Sequence, residues 1–147
     1  MPSGQCHPRA MATQEPQTDV EQEITDTFGM VPAPLSDIPA DDMGAEWPTF
    51  RKYVVGESEI PAKYRELLGL AVAANIKCPY CQEFHKGAAK MHGATEEELR
   101  EVAFLASFTA RYSALIHGLN YDVDTFREEF ARIAEHMQQH MGAAADD

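Results

Sequence analysis

Cys78-Pro79-Tyr80-Cys81-Gln82-Glu83-Phe84-His85 is the stretch on which the reading of this chain turns. Proline is favoured at the first helical position, where its missing N–H would have had no partner. Pro79 therefore marks the start of a helix and sets Cys78 at its N-cap. There the helix dipole and the free N–H groups favour a thiolate over a thiol. Cys78 and Cys81 are three positions apart, close enough for a disulfide across the first turn. His85 follows Cys81 by four, so on a helix its imidazole lies one turn along the same face and can reach the Cys81 sulfur. An acidified thiol, a second thiol to resolve it and a nearby imidazole are the parts of a thiol–disulfide exchange site.

Outward from this stretch, every periodic segment reads as helix. Toward the N-terminus, Pro61 opens a helix on which Tyr64, Leu67, Leu68, Ala71, Val72 and Asn75 mark one face. It is short of charge after Glu66, so most of it is expected to be buried. Before it, Ile38 to Val55 reads as a helix with Trp47, Phe50, Tyr53 and Val54 on its apolar side, bent or interrupted at Pro48 and stopped by Gly56. Val31-Pro32-Ala33-Pro34 reads as an extended connector. Val20, Ile24 and Phe28 define a short amphipathic helix ending at Gly29.

Toward the C-terminus, the helix begun at Pro79 is expected to end at Gly93. Thr95-Glu96-Glu97-Glu98 is a capping box that opens a long helix to about His117, with Gly118 as its stop. Val102, Ala103, Phe104, Leu105, Ala106, Phe108 and Ala110 surround its middle, which suits the inside of a bundle or a subunit interface. A last helix, capped by Asp122 or Asp124, carries Phe126, Phe130, Ile133 and Met137. No sustained period-two run occurs. The expected fold is all-α, a helical bundle with a single domain over 18–141 between tails at 1–17 and 142–147. Cys6 and His7 fall in the first tail and read as incidental.

Composition narrows the function. A net charge of −12 disfavours nucleic acid and anionic membrane as partners. No segment approaches the roughly 20 apolar residues of a membrane span, and the start of the chain lacks the apolar core of a secretion signal. A cytoplasmic location is expected. In a reducing cytosol a cysteine pair is more often redox-active or metal-binding than a structural staple. Cys78, Cys81 and His85 offer three ligands, whereas structural zinc takes four and no second C-x-x-C completes the set. A metal-binding or structural helical protein with these three as ligands is therefore an alternative reading, with no metal or cofactor in the favoured one.

Cys-Pro-Tyr-Cys is similar to the glutaredoxin active site, but that fold needs strand–helix–strand units which this chain lacks. On an all-α chain the stretch instead resembles the carboxymuconolactone decarboxylase superfamily, in its alkyl hydroperoxide reductase D-like branch. The resemblance runs from the Trp47 helix to about Asn120. It rests on a Glu in the preceding helix, here in Arg65-Glu66-Leu67-Leu68, followed by C-x-x-C-x-x-x-H at Cys78, Cys81 and His85. Gly93-Ala94-Thr95-Glu96-Glu97-Glu98 also matches the branch's turn and helix start.

The resemblance implies a helical protomer assembled as a homo-oligomer, a trimer or hexamer. It implies reduction of peroxides, or of a peroxiredoxin partner's disulfide, with a dihydrolipoyl or similar dithiol as electron donor. Glu66 and His85 would relay protons to the cysteines. Some members carry a His between the cysteines, where this chain has Tyr80. A phenol ionises far above neutral pH, so Tyr80 is at most an auxiliary hydrogen-bonding residue. The alternative of decarboxylation on a small lactone acid is disfavoured, because the decarboxylases that name the superfamily generally lack the cysteine pair.

Overall fold

The computed structural model describes residues 15–143. Its elements are α1 (Glu15–Phe28), α2 (Ala33–Ser36), α3 (Ala40–Phe50), a π-helical turn (Arg51–Val55), α4 (Ala62–Ile76), α5 (Pro79–Met91), α6 (Glu96–Gly118) and α7 (Val123–Ala143). Among the described residues there is no strand, and the all-α expectation holds. Of the expected tails, 15–17 already belong to α1 and 142–143 to α7; the remainder, with Cys6 and His7, lies outside the described residues. The chain divides into two compact units, one ending at Ala62 and one beginning at Lys63.

In the first unit the core is Ile24, Met43 and Trp47, with Val20, Val31, Leu35, Ile38 and Phe50 packed around it. Trp47 is 1 % exposed. Its indole stacks on Phe50 and meets Phe28 edge-on. The one polar atom of that ring is satisfied, since Nε1 donates to Glu23 Oε2 at 3.0 Å. Two expectations need correction here. The connector after Val31 is not wholly extended, because Pro34 sits in the first turn of the short helix α2, where a missing N–H costs nothing. The helix expected over Ile38–Val55 starts at Ala40 and changes winding after Phe50. Pro48 has no N–H to give the Gly44 carbonyl. Downstream the hydrogen bonds lengthen in register, as in Gly56 N–H to Arg51 O at 2.7 Å.

In the second unit three helix ends share one solution. The residue after the C-cap takes the left-handed region, and two backbone bonds close the last turn. Gly93 does so after α5 with φ 82°, as the sequence predicts. Asn120 does so after α6 with φ 49°, so the helix passes through Gly118 instead of stopping there. Lys77 does so after α4 with φ 57°, a region that lysine enters at a cost and glycine freely. Cys78 N–H then bonds Ala73 O at 3.1 Å, and the chain turns directly into α5.

The core of this unit is Leu70, Ala89 and Leu99, with Leu67, Ala94 and Val102 against it. Asn75 Nδ2 reaches Ala106 O at 3.3 Å and ties α4 to α6. The expectation that most of α4 is buried is not met. Glu66, Leu70 and Ala73 are buried, whereas Tyr64, Leu68, Val72 and Ile76 stand exposed at four-residue spacing. Phe104, Leu105, Phe108, Tyr112 and Leu115 on α6 and Phe126, Phe130, Ile133 and Met137 on α7 are exposed in the same way, while Leu99 and Ala106 are buried.

The capping box of α6 forms as the sequence predicts. Glu98 N–H donates to Thr95 Oγ1 at 3.1 Å, and Thr95 N–H donates to Glu98 Oε2 at 2.8 Å. Lys63, at the start of α4, meets Glu98 at 2.6 Å. The Lys63 hydrogen bond first, and then the Thr95 N–H, hold the Glu98 carboxyl below its ordinary value of 4.5. A depressed carboxyl contributes stability above that value and loses it as pH falls through the lowered one. Thr95→Ala is expected to cost about 1 kcal/mol, read as a drop in thermal midpoint. Glu98→Gln should flatten the acid limb of stability against pH, and an unchanged limb would show that this contact contributes nothing.

Candidate redox site

Local chemistry puts the two cysteines at the start of α5. Cys78 is the N-cap, in extended backbone, with Pro79 in the first turn. Cys81 N–H donates to Cys78 Sγ at 3.3 Å, the place a side-chain oxygen takes in an ordinary N-cap. Cys78 and Cys81 are joined by a disulfide with their Cα atoms 5.4 Å apart. Both residues are half-buried, while Tyr80 between them is 85 % exposed.

One helix away, α4 presents Glu66, Gly69, Leu70 and Ala73 on a single face, at the three- and four-residue spacing that stacks side chains along a helix. This face meets α5 closely, because the residues at the contact are small: Ala73 is 1 % exposed and Ala89 fully buried. Gln82 Nε2 reaches Ala73 O at 3.4 Å across the same contact. Glu66 is 3 % exposed and is the buried charged residue of the described chain. An isolated carboxylate there would be costly; burial is tolerated when it is paired. Its partner is His85, whose Nδ1 lies 2.7 Å from Glu66 Oε2. The Phe84 ring meets the imidazole edge-on at 5.2 Å between centroids.

The four residues singled out in the sequence therefore fall into two joined pairs, Cys78 with Cys81 and Glu66 with His85. Among the described residues no hydrogen bond joins the imidazole to either sulfur of the disulfide. A disulfide sulfur has no proton to give, and Nδ1 is already committed to Glu66. Nδ1 facing a carboxylate makes it the protonated nitrogen of the neutral ring, which leaves Nε2 as the basic one. Among the described residues no three His, Cys, Asp or Glu side chains converge as a metal-ligand set.

Reasoning from sequence passed over Gly69. A Cβ built there would stand 2.3 Å from His85 Cε1 and 2.5 Å from Nδ1, so the imidazole occupies the space of the missing side chain. The available signal was a glycine in the interior of a helix, one turn after Glu66, where glycine is unfavourable unless something approaches closely.

An all-helical chain with a Cys-x-x-Cys disulfide at a helix N-terminus and a buried carboxylate–imidazole pair on the adjoining helices defines a recognisable class. Residues 41–123 match the carboxymuconolactone decarboxylase family, and the chain belongs to that family. It is similar to an alkyl hydroperoxide reductase of Mycobacterium tuberculosis, 30 % identical over 80 residues, covering 53 % of this chain and 23 % of that protein. It is also 30 % identical over 66 residues to an uncharacterised protein of the cox locus of Paracoccus denitrificans, covering 45 % of this chain and 60 % of that one. The matches thus span less than two thirds of these relatives' own length. Among solved structures it resembles the alkylhydroperoxidase AhpD core of Rhodospirillum rubrum, with a TM-score of 0.64 and 25 % identity over 76 % of this chain and 85 % of that one.

Proposed function

We propose that this chain is a thiol-dependent oxidoreductase that reduces peroxides, or the disulfide of a peroxiredoxin partner, through Cys78 and Cys81. The observation that carries this reading is the disulfide at the N-terminus of α5 with the Glu66–His85 pair beside it. The names of the Mycobacterium tuberculosis and Rhodospirillum rubrum relatives point the same way. In the reduced protein a thiolate attacks the terminal oxygen of a hydroperoxide. The O–O bond breaks, the alcohol leaves with a proton, and a sulfenic acid remains. The second thiol attacks that sulfur, releasing water and closing Cys78–Cys81. An external dithiol then exchanges with the disulfide, supplying two electrons and two protons. His85 takes the thiol proton on Nε2 while Glu66 holds Nδ1 and balances the charge that develops on the ring.

The test is consumption of tert-butyl hydroperoxide with dihydrolipoamide as donor, with and without a peroxiredoxin, on a sample whose metal content is measured. Turnover supported by the dithiol and independent of metal is expected. No dithiol-dependent loss of peroxide and no reduction of the peroxiredoxin would overturn the reading. A cytoplasmic setting, which keeps such dithiols reduced, suits it; among the described residues no helix is long and apolar enough to cross a membrane.

The same reading includes a homo-oligomer, a trimer or hexamer. What supports it is the exposed stripe of Phe104, Phe108, Tyr112 and Leu115 on α6 and of Phe126, Phe130, Ile133 and Met137 on α7. Apolar surface in contiguous stripes marks an interaction site more often than a solvated face. Sedimentation at micromolar concentration should give three or six chain masses, and Phe104→Asp should shift the protein to smaller species. Monomer alone in the parent would remove this part of the proposal.

A further inference from the structure

We infer that Gly69 is a positioning residue for His85: its missing side chain is the seat that lets the imidazole reach Glu66. The inference rests on the relay just proposed and adds a residue to it. Gly44, Gly69, Gly87 and Gly118 all lie inside α-helices. At Gly44, Gly87 and Gly118 an added Cβ would meet nothing within 4 Å. At Gly69 it would meet three atoms of the His85 ring, Cε1, Nδ1 and Nε2, at 2.3, 2.5 and 2.6 Å. Gly69 has ordinary helical backbone, so no left-handed φ explains it. Alanine is the better helix former in such a place. The close approach of the ring is what accounts for the glycine.

The geometry also says what fails without it. Glu66 and Gly69 are three residues apart on α4, so the carboxylate and the seat lie one above the other. A ring resting on the bare backbone at Gly69 has Nδ1 within 2.7 Å of Glu66 Oε2. A methyl group at position 69 must move the ring outward by about 1 Å to restore ordinary van der Waals distance, and the displaced Nδ1 no longer meets the carboxylate. A misplacement of this size costs on the order of 10²-fold in rate when it falls on a reacting group. Gly69 touches neither substrate nor sulfur in this scheme; it acts through the imidazole.

The experiment compares Gly69→Ala, His85→Ala and the double variant in the full chain. Two readouts are used: the rate of thiol alkylation and peroxide reduction near neutral pH, and the ¹⁵N spectrum of the neutral imidazole. Gly69→Ala is expected to slow the thiol chemistry by about 10²-fold and to lower the thermal midpoint, because the buried Glu66 carboxylate loses its partner. Its His85 signals should change from one dominant Nδ1–H tautomer to a mixture. In the His85→Ala background, where the ring is gone, Gly69→Ala should change the rate by less than about two-fold, the additivity failure expected of residues acting through one group. A Gly69→Ala protein that keeps both the parent rate and the parent tautomer overturns the inference, as does an equal rate loss in both backgrounds. If His85→Ala itself leaves the chemistry intact, the relay reading fails. The tautomer spectrum still decides whether Gly69 seats the ring.

Discussion

Cys78→Ser and Cys81→Ser should each reduce multiple-turnover peroxide reduction to the uncatalysed level. The proposed cycle needs one sulfur to take the peroxide oxygen and a second to expel it as water, so either loss breaks the cycle at a different step. Serine keeps the size of the side chain but is not a nucleophile at neutral pH, where a thiol of pKa near 8.5 is already a few per cent thiolate. The two variants differ before the cycle stalls. The protein that retains the attacking thiol consumes one equivalent of peroxide and stops as a sulfenic acid, which a dimedone-type reagent traps. The protein that retains the resolving thiol shows no such burst. The N-cap position and the N–H donated by Cys81 favour a thiolate on Cys78. One helical turn to His85 favours Cys81. The variant that keeps the burst identifies the attacker. In the parent, mild oxidation should close Cys78 to Cys81 in a peptide map and leave Cys6 free. Sustained turnover by either serine variant would end the dithiol mechanism.

The helix boundaries were legible because each is written in the few residues that form it. Pro79 after a capping cysteine, Thr95 with Glu98, and Gly93 in the left-handed region each satisfy backbone groups within one turn. Sequence therefore specifies them without knowledge of the rest of the fold. Gly118 misled for a related reason: glycine and asparagine both tolerate the left-handed region, and the chain uses Asn120, two residues later. What periodicity leaves out is which apolar face meets what. Leu70 and Leu68 belong to equally regular stripes of α4, yet the first is buried and the second exposed. Spacing shows that a face is apolar; it does not show whether this chain or another one covers it. The site divides along the same line. Cys78, Cys81 and His85 are neighbours in sequence, and their spacing alone proposes them. Glu66 is one of 24 acidic residues and was selected by resemblance; its burial and its contact with His85 single it out physically. Gly69 acts on a residue sixteen positions away, and no local pattern encodes that contact.

His85→Ala should slow thiolate-dependent steps by roughly 10²–10⁴-fold near neutral pH, the usual range for losing a general base. The helix should survive, because alanine is a good helix former and His85 lies in the interior of α5. The deficit should shrink as pH rises past the thiol pKa, since a thiol that ionises unaided no longer needs the imidazole. Glu66→Gln separates two roles of the carboxylate. The glutamine carbonyl can still accept the Nδ1 proton and hold the ring over Gly69, but it carries no charge to balance an imidazolium. The expected loss is therefore smaller than that of His85→Ala, with little change in stability, because a neutral amide is less costly to bury than a carboxylate. Glu66→Leu removes the acceptor as well and should approach the His85→Ala rate. Tyr80→Phe should matter least, since its phenol is exposed to solvent and is a poor base at this pH. The measurement is the pH–rate profile of alkylation and peroxide reduction for the four variants beside the parent. Profiles for His85→Ala and Glu66→Gln that overlay the parent would sink the relay. What would remain is a disulfide-forming pair activated by the N-terminus of α5 alone, and a buried glutamate whose contact with His85 serves only to satisfy its charge.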